Sequence, residues 1–423
     1  MSPTPHLVDV LNAQCHCVSI DAARLASTLH EQGAAVDVDA LALSHPHLFA
    51  GTAVFVAGDA LDQMHAVILA VERVVSTPAY VDLCLRDAHL HARVPARHRG
   101  AFLGFDFHLS AEGPQLIEIN TNAGGGPLNA VLRRAQRSCC EPVTRALADR
   151  GADPMRGFVD MLRHEWTLAR DTAPLRRIAI VDDEPVGQFL YPEMLLFAEA
   201  LRADGIAVVV CDPRELSIAG ETLVHADGAV DLVYNRLTDF TLDETAHAPL
   251  AEALRRDLAV VTPHPRAHAV YADKLRLVTL SDPDALARLG VGPEDRALLE
   301  RHVPRTQRVG PSDGERLWAE RKMLFFKPRD GFGSRAAYRG DKITRGVFAS
   351  VLAGDFVAQR IVAPSDRVVM VDGEPRTLKV DIRNFAYDGQ VQLVSARLYH
   401  GQTTNMRTPG GGLAPVYRVD AAG

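Results

Sequence analysis

Two groups of residues in this chain have the types and spacing to do chemistry together. The first is acidic. Gly104-Phe105-Asp106-Phe107-His108-Leu109 and Gln115-Leu116-Ile117-Glu118-Ile119-Asn120 alternate with period two, and Ser110-Ala111-Glu112-Gly113-Pro114 between them is a turn-rich loop. A hairpin in simple register sets Leu109 against Gln115, Phe107 against Ile117, Asp106 against Glu118 and Phe105 against Ile119. One face is then apolar, and the other brings two carboxylates together with Asn120 two residues further on. Like charges directly opposite destabilise a sheet. A face that keeps them calls for a cation, and two carboxylates with an amide oxygen suit a hard ion such as magnesium. A solvated face on which the carboxylates tolerate each other is the competing explanation. Asn122-Ala123-Gly124-Gly125-Gly126 follows at once and permits close backbone approach to an anion.

The second group is basic and glycine-rich and lies in the last third of the chain. Ala272-Asp273-Lys274-Leu275 opens an apolar helical run after a Pro-rich strand end (Pro263, Pro265). Phe325-Phe326-Lys327-Pro328 is a strand ending in a lysine, followed by Arg329-Asp330-Gly331-Phe332-Gly333-Ser334-Arg335. Such a loop can lay backbone N–H groups and a guanidinium over phosphates; glycines also make plain surface turns. Asp355 to Val362 reads as an apolar strand leaving into a linker. Leu378 to Phe385 alternates, with Lys379, Asp381 and Arg383 on one face and Val380 and Ile382 on the other. That charged face suits solvent or a phosphate equally. Thr403 to Gly412 is a second polar, glycine-rich loop, and it contains Asn405.

The elements that must position these groups are mixed. From Ile20 to about Ser76 the pattern is mainly helical, with Ala53 to Val56 as a strand or buried turn. A helical stretch runs from about Leu128 to Arg170, and Thr172-Ala173-Pro174 reads as a linker. Strands at Arg177–Asp182, Ala207–Asp212, Leu232–Asn235 and Ala259–Thr262, with a helix at about Tyr191–Asp204, predict a parallel, Rossmann-like α/β unit. The turn after its first strand, Asp183-Glu184-Pro185-Val186-Gly187, is not a Gly-x-Gly-x-x-Gly motif, which argues against a nicotinamide cofactor. These shifts of texture predict three regions: 1–170, helical and carrying the acidic hairpin; 171–262, Rossmann-like; and 263–423, nucleotide-binding.

With 423 residues there is room for two to four domains. A formal charge of −7 and the lack of a Lys/Arg block argue against a general nucleic-acid binder. No apolar run approaches the roughly 18 residues of a membrane span, and Met1 to Asp9 lacks the basic start and apolar core of a signal peptide. The expectation is a cytoplasmic protein with reduced thiols. Cys15-His16-Cys17 has metal-binding residue types, but no second Cys/His pair follows at zinc-like spacing, and Cys139-Cys140 reads as part of a helix.

Together these motifs resemble the ATP-grasp superfamily of carboxylate–amine ligases. Their order is unusual. Such chains normally end with the metal-binding Glu-x-Asn strand, whereas Glu118-Ile119-Asn120 lies far upstream of Lys274 and Lys327. This looks like the circularly permuted branch that includes the synthetase part of glutathionylspermidine synthetase. The likeness covers most of the chain from about Gly100 on, in short motifs. It implies an ATP-grasp fold in permuted order beside a Rossmann-like pre-ATP-grasp domain. It further implies that Asp106, Glu118 and Asn120 hold magnesium, of which two ions are expected, and that Lys274 and Lys327 hold ATP phosphates. Gly331, Gly333 and Ser334, with Arg335, would form the phosphate lid. Gln359, Arg360, Ile361 and Val362 would contact adenine through backbone groups, and Arg383 and Asn405 would sit near the transferred phosphoryl group. The relatives carry an arginine two residues before the metal-binding Asp. Here that position is Gly104, and Arg97 and Arg99 are the candidate substitutes.

The activity so implied is ligation: phosphoryl transfer from ATP to a carboxylate, then attack by an amine on the acyl phosphate, giving an amide, ADP and phosphate. Small-molecule partners of the amino-acid, peptide or polyamine class follow from the resemblance; oligomeric state stays open. A phosphotransferase using the same site and a nucleotide-binding protein without turnover are the alternatives. Because one end of the site comes from the first third of the chain and the other from the last, neither half alone is expected to bind MgATP.

Overall fold

The alternating segments pair as Leu103–Ser110 and Gly113–Asn120. The computed structural model is described here for residues 7–16, 25, 27, 41, 43–136, 152–331 and 336–420. The hairpin sets Asp106 opposite Glu118 and Phe105 opposite Ile119, as simple register requires, but Phe107 faces Leu116 and Leu109 faces Pro114. The reason lies in the turn. It is a tight Ala111-Glu112 connection closed by the Ser110–Gly113 pair, with Gly113 at φ +98°, where glycine has no steric penalty. That turn fixes a register one residue away from the one the acidic pair adopts, and Ile117 bulges to absorb the difference. The sequence-based pairs Phe107–Ile117 and Leu109–Gln115 are therefore corrected.

The hairpin forms one edge of a seven-stranded sheet. Its order is Val54–Ala57, Gly412–Val419, Gln390–Tyr399, Glu374–Tyr387, Leu103–Ser110, Gly113–Asn120, with Ser365–Val371 pairing with Glu374–Tyr387. All pairs are antiparallel except Val54–Ala57 with Gly412–Val419. Met64, Val67, Ile68 and Val71 of the helix Gly58–Val75 pack with Phe105, Phe107 and Leu116 against one face. Each such side chain contributes about 1.5–3 kcal/mol on full burial. On the other face Phe102, Phe158 and Phe385 join a core that continues through Phe197, Ile180 and Tyr234. The helix Pro154–Arg170 thus ties the large sheet to the Rossmann-like unit.

That unit is a parallel sheet in the order Val260–Thr262, Leu232–Asn235, Arg177–Val181, Ala207–Cys211, with helix Tyr191–Ala203 packed on it. A third, antiparallel sheet contains Thr306–Arg308, Phe356–Arg360, Leu324–Pro328 and Tyr338–Arg339. The α/β class read from the sequence is the class observed. Among the described residues, no helix is long and apolar enough to cross a membrane, and Cys15, Cys84 and Cys211 are free thiols. Cys17, Cys139 and Cys140 lie outside the described residues.

Arg367, on Ser365–Val371, has 0% exposure. Its guanidinium donates to the carbonyls of Asn12 and Cys15 at the end of helix Leu7–Gln14, to Ala53 O and to the Thr52 hydroxyl, at 2.6–2.8 Å. A cation at a helix C-terminus complements the dipole there. Arg367→Leu would leave these acceptors buried without a donor. It is expected to destabilise the fold by about 3 kcal/mol, read as a fall of several degrees in thermal midpoint.

Candidate functional site

The three sheets enclose a cavity of 720 Å³. Asp106, Glu118, Asn120, Lys274, Lys327, Gly331, Gln359, Arg360, Ile361, Val362, Arg383 and Asn405 all line it, so segments far apart in sequence meet here. Gly333, Ser334 and Arg335 lie outside the described residues.

The acidic end answers its own charge problem. Register places Arg383 directly opposite Asp106 and Arg397 directly opposite Asp381. Arg383 grips Asp106 bidentately, Nε to Oδ1 and Nη2 to Oδ2, both at 2.6 Å. Arg397 bridges Asp106 at 2.8 Å and Asp381 at 2.7 Å, and the Thr404 hydroxyl donates to Asp381 at 2.6 Å. Burial pushes the Asp106 carboxyl up, but the two guanidiniums outweigh it and bring it down to about 2. Glu118 faces Lys274 at 3.3 Å. Burial opposes its ionisation too, yet Lys274 and Lys327 hold its carboxyl below the usual range. Counting Lys274, Lys327, Arg383 and Arg397 against Asp106, Glu118 and Asp381, this end carries one excess positive charge, as a polyanion requires.

The bulge at Ile117 has a use. The Ile117 carbonyl accepts from Lys327 Nζ at 2.8 Å, and Gln359 Oε1 accepts from the same ammonium at 2.9 Å. Burial lowers the Lys327 ammonium below its ordinary value, partly offset by Glu118. Lys274 Nζ donates to Gly331 O at 2.6 Å, linking the glycine-rich segment to Glu118. A one-turn π-helix, His268–Ala272, immediately precedes Asp273 and Lys274. Such irregular turns recur at functional sites because they re-aim side chains.

Gly104 explains itself. A Cβ there would lie 2.6 Å from Ala123 Cβ and 3.3 Å from Arg383 Nε, so the space is filled by an arginine arriving from the neighbouring strand. The suggestion that Arg97 or Arg99 fills this role is corrected. Neither lines the cavity, and Arg99 pairs with Asp388 at 3.3 Å. Asn405 is committed to its own loop: its amide donates to His400 O and accepts from Arg407 N and the Thr408 hydroxyl. In the 359–362 segment, Arg360 and Ile361 donate their N–H groups to Arg305 O and Met323 O. The Val362 carbonyl accepts from His108 Nδ1 at 2.8 Å.

The donor chemistry fits a hard divalent ion at Glu118 and Asn120. The Asn120 amide donates through Nδ2 to Asp106, and its Oδ1 has no partner among the described residues. Asp106 fits less well as a direct ligand, because four N–H contacts engage its two oxygens.

Sequence reasoning assigned no role to Arg397, His108 or the far side of the cavity. There Asp182, Asp183, Gln188 and Arg236 line the cavity together with Gly124. Arg236 has 5% side-chain exposure, lies 3.3 Å from Glu193 and donates to Asn122 and the Tyr234 hydroxyl at 3.0 Å. Burial pushes the Asp182 carboxyl up to about 6, with Arg236 pulling it back. A raised folded-state value means that native Asp182 binds its proton more tightly than the unfolded chain does. Its contribution to stability is full below about pH 4 and lost as pH rises through about 6. Asp182→Asn is therefore expected to stabilise the protein relative to wild type by about 2–3 kcal/mol above pH 7 and negligibly at pH 4. Thermal midpoints of the two proteins across that range check it.

No protein-family model matches the chain, and no curated protein does. Among solved structures it is similar to a glutathione synthetase-like effector from Globodera pallida, with a TM-score of 0.56 and 11% identity over 95% of this chain and 99% of that one. The chain has an ATP-grasp fold. Fainter likenesses are to a gamma-glutamylcysteine synthetase-like protein from Methylobacillus flagellatus KT (TM-score 0.46, 10% identity, 82% and 85% covered) and to the ATP-grasp ligase PsnB with minimal precursor, Mg and ADP (0.28, 16%, 57% and 88%). In this ATP-grasp fold the acidic hairpin precedes the lysine-bearing segments in chain order, and the likeness at 11% identity speaks for architecture alone.

Proposed function

We propose that the chain is an ATP-dependent ligase joining a carboxylate to an amine. One observation carries this reading: a single cavity with excess positive charge is lined by the acidic hairpin, both lysines and the 359–362 segment together. ATP lies with adenine against that segment, where the Val362 N–H and Ile361 carbonyl are engaged by no hydrogen bond among the described residues. Lys274 and Lys327 bind its phosphates, and Gly331, Gly333, Ser334 and Arg335 cover them. Glu118 and Asn120 hold magnesium, which supplies charge neutralisation on the phosphates. Asp106, assigned to the metal by resemblance, serves chiefly by orienting Arg383 and Arg397 toward the transferred phosphoryl group, and Asn405 shapes the loop beside it. Preorganised cations of this kind stabilise developing charge without a protein nucleophile. The acid and the amine, of the amino-acid, peptide or polyamine class, occupy the side lined by Asp182, Asp183, Gln188 and Arg236. The proposed regions are 1–170, 171–262 and 263–423, the first and last sharing the seven-stranded sheet, and the protein acts in the cytoplasm.

The test is ADP release on a panel of amino acids, peptides and polyamines, with product analysis. An amide together with ADP supports ligation. A stable phosphorylated product without an amide would make the chain a phosphotransferase, and ATP binding with no ADP release on any pair would make it a non-catalytic binder.

A further inference from the structure

Away from the cavity, His89, His91 and Asp243 each offer a donor atom, and these atoms lie within 4.8 Å of one another. We propose that these three residues form a site for one borderline divalent ion of the zinc class, which pins the loop beginning at Thr238 to the turn Leu90–Arg93. Nothing in the ligase reading requires or uses this site.

Three features of the geometry carry it. His91 Nδ1 lies 2.7 Å from the Thr241 carbonyl, which can only accept, so Nδ1 carries the proton and Nε2 carries the lone pair. This backbone-held tautomer is the arrangement that orients histidine ligands in metal sites. His89 Nε2 stands 2.9 Å from Asp243 Oδ1, and the long 3.4 Å contact from His91 N to its Nδ1 is given up when the ring takes the Nδ1–H tautomer that frees Nε2 for the ion. In tetrahedral zinc sites, bonds of about 2.0–2.2 Å set neighbouring donors about 3.3 Å apart, so a small opening of this pair admits the ion. The imidazoles meet edge to face at 5.0 Å and 71°, and two nitrogens with one carboxylate leave a fourth position for water.

Its place in the fold suggests what the ion does. Asp239 in the same loop accepts from the Thr241 and Glu244 backbone and pairs with His247 at 2.8 Å; His247 in turn reaches Asp183 at 3.1 Å. Thr238, Phe240 and Asp183 line the cavity. A metal at His89, His91 and Asp243 would therefore hold the wall of the proposed substrate end.

The test titrates cobalt(II), then zinc in competition with a chromogenic chelator, into chelator-stripped full-length chain with magnesium in excess to occupy Glu118 and Asn120. One equivalent is expected to bind, with visible ligand-field bands of a nitrogen–oxygen site and no intense near-ultraviolet sulfur band. His89→Ala and the near-isosteric, exposed-site Asp243→Asn should each weaken binding by at least about tenfold, while Cys15→Ser should not. Absence of binding, a sulfur band abolished by Cys15→Ser, or affinity unchanged in both His89→Ala and Asp243→Asn would overturn the site and leave a bare His89–Asp243 contact.

Discussion

Asp106→Ala is expected to unsettle the protein more than any other single change at the cavity. The substitution leaves Arg383, whose side chain is only 10% exposed, with the Gly124 carbonyl at 3.3 Å as its remaining acceptor, and Arg397 with Asp381 alone. Removing one partner from a buried charge cluster costs about 3–5 kcal/mol, because the other charges stay behind. The acid limb gives a second reading. The Asp106 carboxyl is depressed to about 2 in the fold, so its contribution is present above the unfolded value near 4 and lost as pH falls toward 2. About 2 kcal/mol of wild-type stability should vanish over that span and be missing from Asp106→Ala throughout. Melting curves at pH 7 and pH 2 measure both. Equal midpoints for the two proteins at pH 7 would mean that the cluster does not hold the sheet together.

Lys327→Ala is expected to lower the rate of ADP release by about 10²–10³-fold, the usual loss when one preorganised charge is removed from a transition state. The ammonium sits between Ile117 O and Gln359 Oε1, and the Gln359 amide is held in that orientation because its Nε2 donates to the Thr306 hydroxyl at 3.3 Å. Lys327→Arg should restore little, since a planar guanidinium does not fit two acceptors arranged for a compact ammonium. Glu118→Ala should show a comparable loss, accompanied by a higher magnesium requirement. Turnover unchanged in both Lys327→Ala and Glu118→Ala would remove the basis of the site assignment.

Much of this architecture is written in local pattern. Period-two alternation marked the hairpin, and short apolar runs marked the parallel strands, because each depends only on neighbouring residues. The bulge at Ile117 escaped, since it arises from a conflict between the Ala111-Glu112 turn and the Asp106–Glu118 pairing. Arg397 escaped for a different reason. Its meaning depends on Gln390–Tyr399 lying beside Glu374–Tyr387, which in turn lies beside Leu103–Ser110. Asp381 and Arg397 pair within the hairpin turned at Asp388-Gly389, but only that wider order brings Arg397 to Asp106, 291 residues away in sequence. The like-charge puzzle was legible; its resolution by arginines from elsewhere in the chain was not.

The seven-stranded sheet also sets a schedule for the ribosome. Its hairpin is complete at Asn120, yet the strand that covers the free edge of Leu103–Ser110 begins only at Glu374. At about 5–20 residues per second, the hairpin waits roughly 12–50 s for its neighbour. Throughout that interval an apolar-faced strand edge stands unpaired in the nascent chain, a template for mispairing. A holdase present during synthesis should raise the soluble yield.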